Sequence, residues 1–321
     1  MKAIQINTFG GPEELRYCDV DEPSPSNGEV IVHVEAIGVN YADTMRRQNQ
    51  YVVDTPLPFI PGSEIAGTVK EDGEVLKAGT RVVALTGTNA YAEQVAVPEQ
   101  QLIPIPQNLS NEEAVALPLQ GLSAYHILKT MGQLKSGETV LIHAAAGGVG
   151  SLAVQLAKRF GAGQVIATAS TEEKRALAKT LGADVTIDYT QTDWTDEVWK
   201  ATGDKGVDVA LEMAGGRIFN DTLGVLAPFG RLVFFGAASG ELPTLSPFDL
   251  LEKNKTVTGF FLPQMMTRPD EFQSSLKEIF QLAASGTLKM TVGPVYGLAD
   301  AHQAHTDMEN RRTSGKIILK P

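Results

Sequence analysis

Two small groups of residues in this 321-residue chain have the types and spacing to do chemistry. The first is the run Ala144-Ala145-Ala146-Gly147-Gly148-Val149-Gly150, with Ala145, Gly147 and Gly150 in the places of a G-x-G-x-x-G fingerprint. Small residues at this spacing let a turn close on a pyrophosphate, and a helix starting there adds unpaired N–H groups and the positive end of its dipole. The second group is Ser170 and Lys174. A site for NAD usually carries Asp or Glu about 20 residues beyond the glycine turn, where it binds the ribose 2′-hydroxyl. Here the segment reads Ala167-Thr168-Ala169-Ser170, and the next carboxylates, Glu172 and Glu173, suit the first turn of a following helix. A hydroxyl and a cation favour a 2′-phosphate that a carboxylate would repel. The pattern therefore predicts NADPH over NADH. The competing readings are a tight βα turn of another doubly wound fold for the glycines and a solvated helix charge for Lys174.

The elements needed to position these groups are legible around them. Val140 to His143 is a short apolar run, and after the turn Val149, Leu152, Ala153, Leu156, Ala157 and Phe160 share one helical face. Gly161 offers a helix stop, and Val165 to Thr168 starts a second strand, which completes a βαβ unit. No G-K-[ST] follows the turn, which argues against a mononucleotide P-loop. Thr313-Ser314-Gly315-Lys316 lacks the upstream glycine spacing and reads as a loop entering a terminal strand at Lys316 to Lys320. Further strands are expected at Val207 to Leu211, Arg231 to Phe235 and Thr256 to Phe260, and an amphipathic helix at Phe272 to Ala284. Before Leu117 the pattern differs. Short strands (Val30 to Val34, Glu64 to Val69, Arg81 to Leu85) are punctuated by Gly, Pro, Asn and Asp, the mark of a β-rich, barrel-like domain. The last 55 or so residues cannot continue the βα alternation and are expected to return to that first domain.

Composition narrows the classes. The length suggests two domains, and 43% apolar with 20% charged residues is ordinary for a globular protein. No apolar run is long enough for a membrane span. The first residues, MKAIQINTFGG, have neither an apolar core nor a cleavage site, so a cytoplasmic location is expected. Cys18 is the single cysteine, which excludes an internal disulfide and suits a reducing compartment. A net charge of −11 disfavours nucleic acid as a partner.

Over nearly its whole length the chain resembles the zinc-independent medium-chain dehydrogenases/reductases, nearest the NADPH:quinone oxidoreductase, zeta-crystallin-like branch. The matching segments are Gly38-Val39-Asn40-Tyr41-Ala42-Asp43-Thr44, Pro61 to Gly67, Ala144 to Gly150, Leu181-Gly182-Ala183-Asp184 and Asn310 to Lys316. The resemblance implies an α/β protein with a GroES-like β-barrel domain (1–122 with 263–321) and a Rossmann doubly wound parallel-sheet domain (123–262), with cofactor and substrate in the cleft between them. It also implies a homodimer joined near Thr256 to Leu262.

The same resemblance carries site residues. Gly147, Gly148 and Val149 match the pyrophosphate turn, and Ser170, Lys174 and Tyr189 the 2′-phosphate corner. Phe235, Gly236 and Ala237 match the strand end under the cofactor bridge, though Phe235 and Phe260 could equally be core residues. Phe260, Phe261 and Leu262 should approach the carboxamide, Ser123 the nicotinamide, and Arg311 should close over the cofactor. Asn40 is the candidate for positioning the nicotinamide ribose or a substrate oxygen. Of two tyrosines often found after that asparagine, the first place holds Met45 and the second Tyr51, a candidate hydrogen-bond donor whose other reading is an exposed loop residue. Zinc-dependent relatives place a cysteine near the N-x-x-D segment and a histidine in a G-H-E segment. Here Asn40 and Ser63 stand there, the other cysteine-rich lobe is missing, and no metal is expected. His302 and His305 read as surface or packing residues. Without a Lewis acid, hydride transfer to a quinone or enone is the expected chemistry, with an alkenal or enoyl double-bond reductase, or a non-enzymatic crystallin-like or RNA-binding role, as alternatives.

Overall fold

The computed structural model describes residues 1–321. They form two compact units, Met1–Leu119 with Met290–Pro321, and Gln120–Lys289. The first part of the chain runs through β1 (Lys2–Gln5), β2 (Arg16–Asp19), β3 (Glu29–Val39), α1 (Tyr41–Arg47), β4 (Glu64–Val69), β5 (Arg81–Leu85), β6 (Gln94–Pro98) and β7 (Ile103–Pro104). The second unit holds β8 (Thr139–Ile142), α2 (Gly148–Arg159), β9 (Gln164–Thr168), α3 (Glu172–Thr180), β10 (Val185–Ile187), α4 (Trp194–Thr202), β11 (Val207–Glu212), α5 (Gly216–Gly224), β12 (Leu226–Phe234), β13 (Thr256–Gly259) and α6 (Pro269–Ala284). The chain then returns to the first unit with β14 (Val292–Gly297), α7 (Ala301–Glu309) and β15 (Lys316–Lys320).

The first unit is the β-rich domain that the Gly and Pro punctuation predicts. Its main sheet runs β14-β15-β3-β4-β5-β7, with β6 paired to β3. Alternation along β3 turns Val30, Val32 and Val34 inward, and they pack with Ile4, Ile65, Val82, Val97 and Leu319 in a single apolar cluster. The expected strand at Val30 to Val34 extends to Val39. Beyond Glu35 the strand has a register shift against β4 and is buried on both faces, so simple alternation stops there.

The second unit is a six-stranded, all-parallel sheet in the order β10-β9-β8-β11-β12-β13. Its core joins Leu141, Ile166, Ala210 and Leu232 of the strands to Trp194, Val198, Phe219 and Leu223 of the helices. From β8 the chain winds through β9 and β10 to one side, and β11 to β13 build the other. The strand order therefore reverses between β8 and β11, the switch point where doubly wound sheets open a crevice at the carboxyl ends of their strands. Both glycine turns of the unit, Ala144–Gly147 after β8 and Met213–Gly216 after β11, leave the sheet at this place.

The boundary between units differs from the one expected. Residues 263–289 belong to the parallel-sheet unit and not to the barrel. In α6, Ser275 Oγ lies 3.0 Å from His126 Nε2 and Glu278 accepts from the Tyr125 hydroxyl at 2.8 Å, while Lys289 N–H donates to Gln155 Oε1 at 2.9 Å. An amphipathic stripe shows that a helix has a buried face. It does not show which of two cores covers that face.

Candidate active site

In the parallel-sheet unit, the turn after β8 is shaped for close approach. Ala144 adopts a left-handed φ of +48°, and Ala145, at the place of the fingerprint's first glycine, is fully buried with its N–H on Thr168 O. A methyl fits there because it points into the protein. Gly150 is different, since a Cβ would stand 2.3 Å from Ala144 O, and only glycine lets α2 start against the turn. At Gly147 a Cβ would stand 3.2 Å from Ala144 O, so this position too is tight against the turn's own backbone. No side chain caps α2, and its first turn holds no acidic residue. A helix N-terminus left uncapped and without acidic residues is the kind that can receive an anion.

The tip of β9 keeps the carboxylate-free character read from the sequence. Thr171 caps α3 by accepting the Lys174 N–H, so Lys174 stands in the first turn of the helix, and its side chain is half-buried. Arg175 is held elsewhere, with Asp188 at 2.9 Å and Glu172 at 3.0 Å. Those two contacts also fix the carboxylate of Glu172 and the residue preceding Tyr189.

Beyond β12, Phe235 N–H donates to Glu212 O, Ala238 N–H to Met213 O and Ser239 N–H to Ala214 O, so Phe235, Gly236 and Ala237 lie alongside the turn that follows β11. Glu212 organises that turn: its carboxylate accepts the N–H groups of Ala214 at 2.6 Å and Gly215 at 3.1 Å. Burial, opposed by these N–H donors, raises its pKa to about 7. Phe260 extends the edge strand through its N–H to Phe234 O and lies nearly parallel to the His126 ring, with centroids 6.4 Å apart. Phe261 is half-buried, and Leu262 and Ser123 are buried.

The barrel unit, by itself, holds a buried polar corner that no local sequence pattern marks. Asn40 ends β3's extension and caps α1 in a capping box with Asp43. Its amide nitrogen donates to Gly38 O at 3.3 Å and to Glu64 Oε1 at 2.8 Å, while its oxygen accepts from Lys316 Nζ at 2.9 Å. Lys316 also bonds Glu64 directly, and neither side chain is more than 1% exposed. A lysine can only donate and a carboxylate only accept, so these two neighbours fix which end of the Asn40 amide is which. A Cβ on Gly38 would come within 2.5 Å of both Glu64 and Lys316, so the ion pair lies across this glycine. Asn40, expected to position the nicotinamide ribose or a substrate oxygen, has its amide N–H groups on Gly38 O and Glu64 Oε1.

Asp43 lies beside this pair. It accepts the Asn40 N–H at 2.9 Å and the Tyr91 hydroxyl at 3.1 Å, and Tyr91 is in turn 2.9 Å from His305 Nε2. Burial raises Asp43 to about 6 and lowers His305 to about 3, which makes His305 a neutral packing residue. Tyr51 is half-buried rather than exposed. Burial raises its pKa, the Asp43 charge raises it further, and Arg46 opposes both. Arg311 takes a left-handed φ of +58° in the turn after α7, whereas Arg312 is held by Asp307 at 3.3 Å.

These residues do not suit a metal. Glu64 is neutralised by Lys316, Asn40 and Ser63 stand at the places expected of ligands, and Cys18 sits on β2 opposite Ala3. No group of three or more His, Cys, Asp or Glu side chains converges anywhere in the protein.

Comparison with known proteins agrees with both halves. Residues 26–107 match the alcohol dehydrogenase GroES-like domain, and residues 148–281 the family described as zinc-binding dehydrogenase. A quinone oxidoreductase of Pseudomonas aeruginosa is 37% identical over 100% of this chain and 99% of its own. The solved quinone oxidoreductase of Pseudomonas syringae pv. Tomato DC3000 is 39% identical with a TM-score of 0.92, covering 100% of this chain and 99% of that one. The chain belongs to the medium-chain dehydrogenase/reductase family. Within this family, the Escherichia coli quinone oxidoreductase solved in complex with NADPH superposes with a TM-score of 0.93 at 34% identity, with both chains fully covered. The family description names zinc, yet the corner around Asn40 and Glu64 in this member holds a lysine ammonium and no metal-ligand set.

Proposed function

We propose that this protein is a zinc-free, NADPH-dependent reductase that delivers hydride to a quinone or a related enone. The observation that carries this reading is the Lys316–Glu64–Asn40 corner. Where a Lewis acid would have to be held, the only buried carboxylate in bonding contact with Asn40's side chain is neutralised by a lysine. Such a site favours an acceptor already activated toward hydride, not an alcohol or simple carbonyl that a metal must polarise.

Bound NADPH supplies the hydride from its nicotinamide. The turn at Gly147, Gly148 and Val149 holds the pyrophosphate, and Ser170, Lys174 and Tyr189 hold the 2′-phosphate. Phe235 to Ala237, Phe260 to Leu262, Ser123 and Arg311 line the rest of the cofactor. Asn40 shapes the corner and caps α1. Tyr51, kept protonated by its raised pKa, donates a hydrogen bond to the acceptor oxygen and gives up its proton as that oxygen gains electrons, then recovers a proton from water. The unit that carries Tyr51 has 20 acidic against 11 basic residues, compared with 18 against 16 in the other, so its field favours uncharged acceptors over phosphate-bearing thioesters.

The test is NADPH oxidation measured across quinones, enals, enones and enoyl thioesters, without added metal. Turnover with quinones or enones is the expected result, and no oxidation with any of them would sink the proposal. In the same assay Lys174→Ala should weaken NADPH about ten- to a hundredfold, the value of one charge-assisted contact, and leave NADH nearly unchanged. Equal losses for both cofactors would remove the 2′-phosphate argument.

We further propose a homodimer through the open edge of β13, which pairs only with β12. Phe229, within β12, and Phe248 and Leu251, in the segment between β12 and β13, are 70%, 80% and 64% exposed and apolar enough to need cover. Sedimentation velocity should find a dimer that Phe248→Asp weakens. A wild-type monomer at micromolar concentration would refute it.

A further inference from the structure

Tyr51 opens a loop whose far end, Phe59, is anchored by paired backbone hydrogen bonds to Ile6, while the stretch just after Tyr51 is exposed. Val52 and Val53 are 75% and 49% exposed, two prolines interrupt the segment before Phe59, and no helix or strand forms between α1 and β4. A phenol at the head of such a segment needs an external tether if it is to meet an acceptor oxygen in one geometry, since a misplacement of about 1 Å can cost a hundredfold in rate.

Arg46 supplies one. It lies in the last turn of α1, and its guanidinium carbon is 5.9 Å from the centroid of the Tyr51 ring and 5.5 Å from that of Phe59. One cation therefore lies within cation–π reach of the rings at both ends of the loop. Its Nε donates to Thr55 Oγ1 at 3.2 Å, in the middle of the loop, and its Nη1 to Gly87 O at 2.8 Å, beyond β5. The head, middle and end of the loop thus converge on a single planar side chain. The next residue, Arg47, turns inward, is fully buried and pairs with Glu309 at 2.5 Å. The two adjacent arginines divide the work: Arg47 fastens α1 to the end of α7, and Arg46 fastens the loop to α1.

We propose that Arg46 is a positioning residue for Tyr51, clamping the loop so that the phenol stands where the acceptor receives its proton. This rests on Tyr51 being the proton donor. Lysine cannot replace the clamp in full, because an ammonium lacks the planar fork that bonds Thr55 and Gly87 while lying against two rings.

The experiment is steady-state NADPH-dependent reduction of benzoquinone by wild type, Arg46→Met, Arg46→Lys, Tyr51→Phe and the Arg46→Met/Tyr51→Phe double variant, each checked for unchanged thermal unfolding. Tyr51→Phe should lower kcat on the order of a hundredfold, the range of a lost general acid. Arg46→Met should lower kcat about tenfold with KM for NADPH unchanged, Arg46→Lys should fall between it and wild type, and the double variant should be no worse than Tyr51→Phe alone. Losses that multiply in the double variant would show that Arg46 acts independently of Tyr51 and overturn the inference, as would an Arg46→Met effect confined to KM. A fully active Tyr51→Phe would instead overturn the proton-donor reading itself. Ultraviolet titration of the tyrosinate adds a signature that a purely structural role would not move. The Tyr51 contribution, taken as the difference from the Tyr51→Phe background, should titrate at higher pH in Arg46→Met than in wild type, because the opposing cation is gone.

Discussion

The barrel unit buries charge, whereas the parallel-sheet unit buries mostly neutral polar groups. In the barrel, Lys316, Glu64, Asp43 and Arg47 are at most 1% exposed; Lys316 pairs with Glu64 and Arg47 with Glu309, while Asp43 accepts from the Asn40 N–H and the Tyr91 hydroxyl. In the parallel-sheet unit the buried polar side chains are His126, His143, Thr168, Thr222, Ser123, Ser151, Ser275 and Gln120, with Glu212 the one carboxylate. The difference follows from how each unit is built. The last strand of the chain, β15, is inserted between β14 and β3, and it brings Lys316 across β3 to Glu64 on β4, 252 residues earlier, over the bare Cα of Gly38. Parallel strands with helices on both faces leave no such crossing, and hydroxyls can satisfy imidazoles without moving charge out of water.

The contrast is sharpest when one partner is removed. Lys316→Met strands Glu64 and takes a donor from Asn40, so it should cost about 3–5 kcal/mol in urea unfolding at neutral pH. Lys316→Met with Glu64→Gln removes both charges and should recover much of that loss, because what is costly is the unpaired ion and not the absence of the pair. If the double variant is as unstable as the single, the corner is held by shape and not by charge.

The titrating groups give the next largest effect. Asp43 rises from the ordinary 3.8 to about 6, so between those values the folded barrel holds a proton that the unfolded chain has released. Its burial is therefore harmless at pH 4 and costs stability as pH rises through 6, by roughly 3 kcal/mol at the top of the window. Glu212 behaves with the same sign between 4.5 and about 7. Asp43→Asn keeps an oxygen for the Asn40 N–H and the Tyr91 hydroxyl, so urea unfolding should show more stability at pH 8 and a flatter profile between pH 4 and 6. Glu212→Gln should gain less, since its new amide nitrogen would face the Gly215 N–H that now approaches Oε2 at 3.2 Å. Equal gains would mean that burial alone sets both carboxyls.

The parallel-sheet unit was the more legible of the two from sequence, for the same physical reason. Its site is local: strand, glycine turn, helix and the Ser170–Lys174 corner lie within one βαβ unit, and the 3.6-residue period and the glycines mark them. The barrel corner joins Asn40, Glu64 and Lys316, with Tyr91 and His305 separated by 214 residues, and no local pattern records such pairings. In the sequence Lys316 marks only the entry to a terminal strand, and His305, open there to a surface or a packing role, is fully buried in the structure. Asn40 stood out by resemblance, but its engagement with Lys316 and Glu64 needed coordinates. The stripe from Phe272 to Ala284 marks an amphipathic helix but carries no sign that the parallel-sheet unit, and not the barrel, covers it.

The smallest expected effect tests the neutral half of the contrast. Thr222 Oγ1 donates to Ile218 O at 2.6 Å, so it can only accept from His143 Nε2 at 2.8 Å, and that nitrogen must carry the proton. His143 Nδ1 then accepts from Thr168 Oγ1 at 2.8 Å, and burial, which lowers the imidazole to about 4, keeps the ring neutral at physiological pH. Thr222→Val leaves the Nε2 proton facing a methyl group. The ring has a way out that Glu64 lacks: it can shift its proton to Nδ1, donate to Thr168 and leave only a lone pair unsatisfied. The loss should accordingly be about 1 kcal/mol, near the low end for an unmade buried hydrogen bond. Nitrogen-15 NMR should find the Nε2–H tautomer in wild type and the Nδ1–H tautomer in the variant. A loss as large as that of Lys316→Met, with the tautomer unchanged, would show that the neutral network is as rigid as the ionic one and would erase the distinction between the two units.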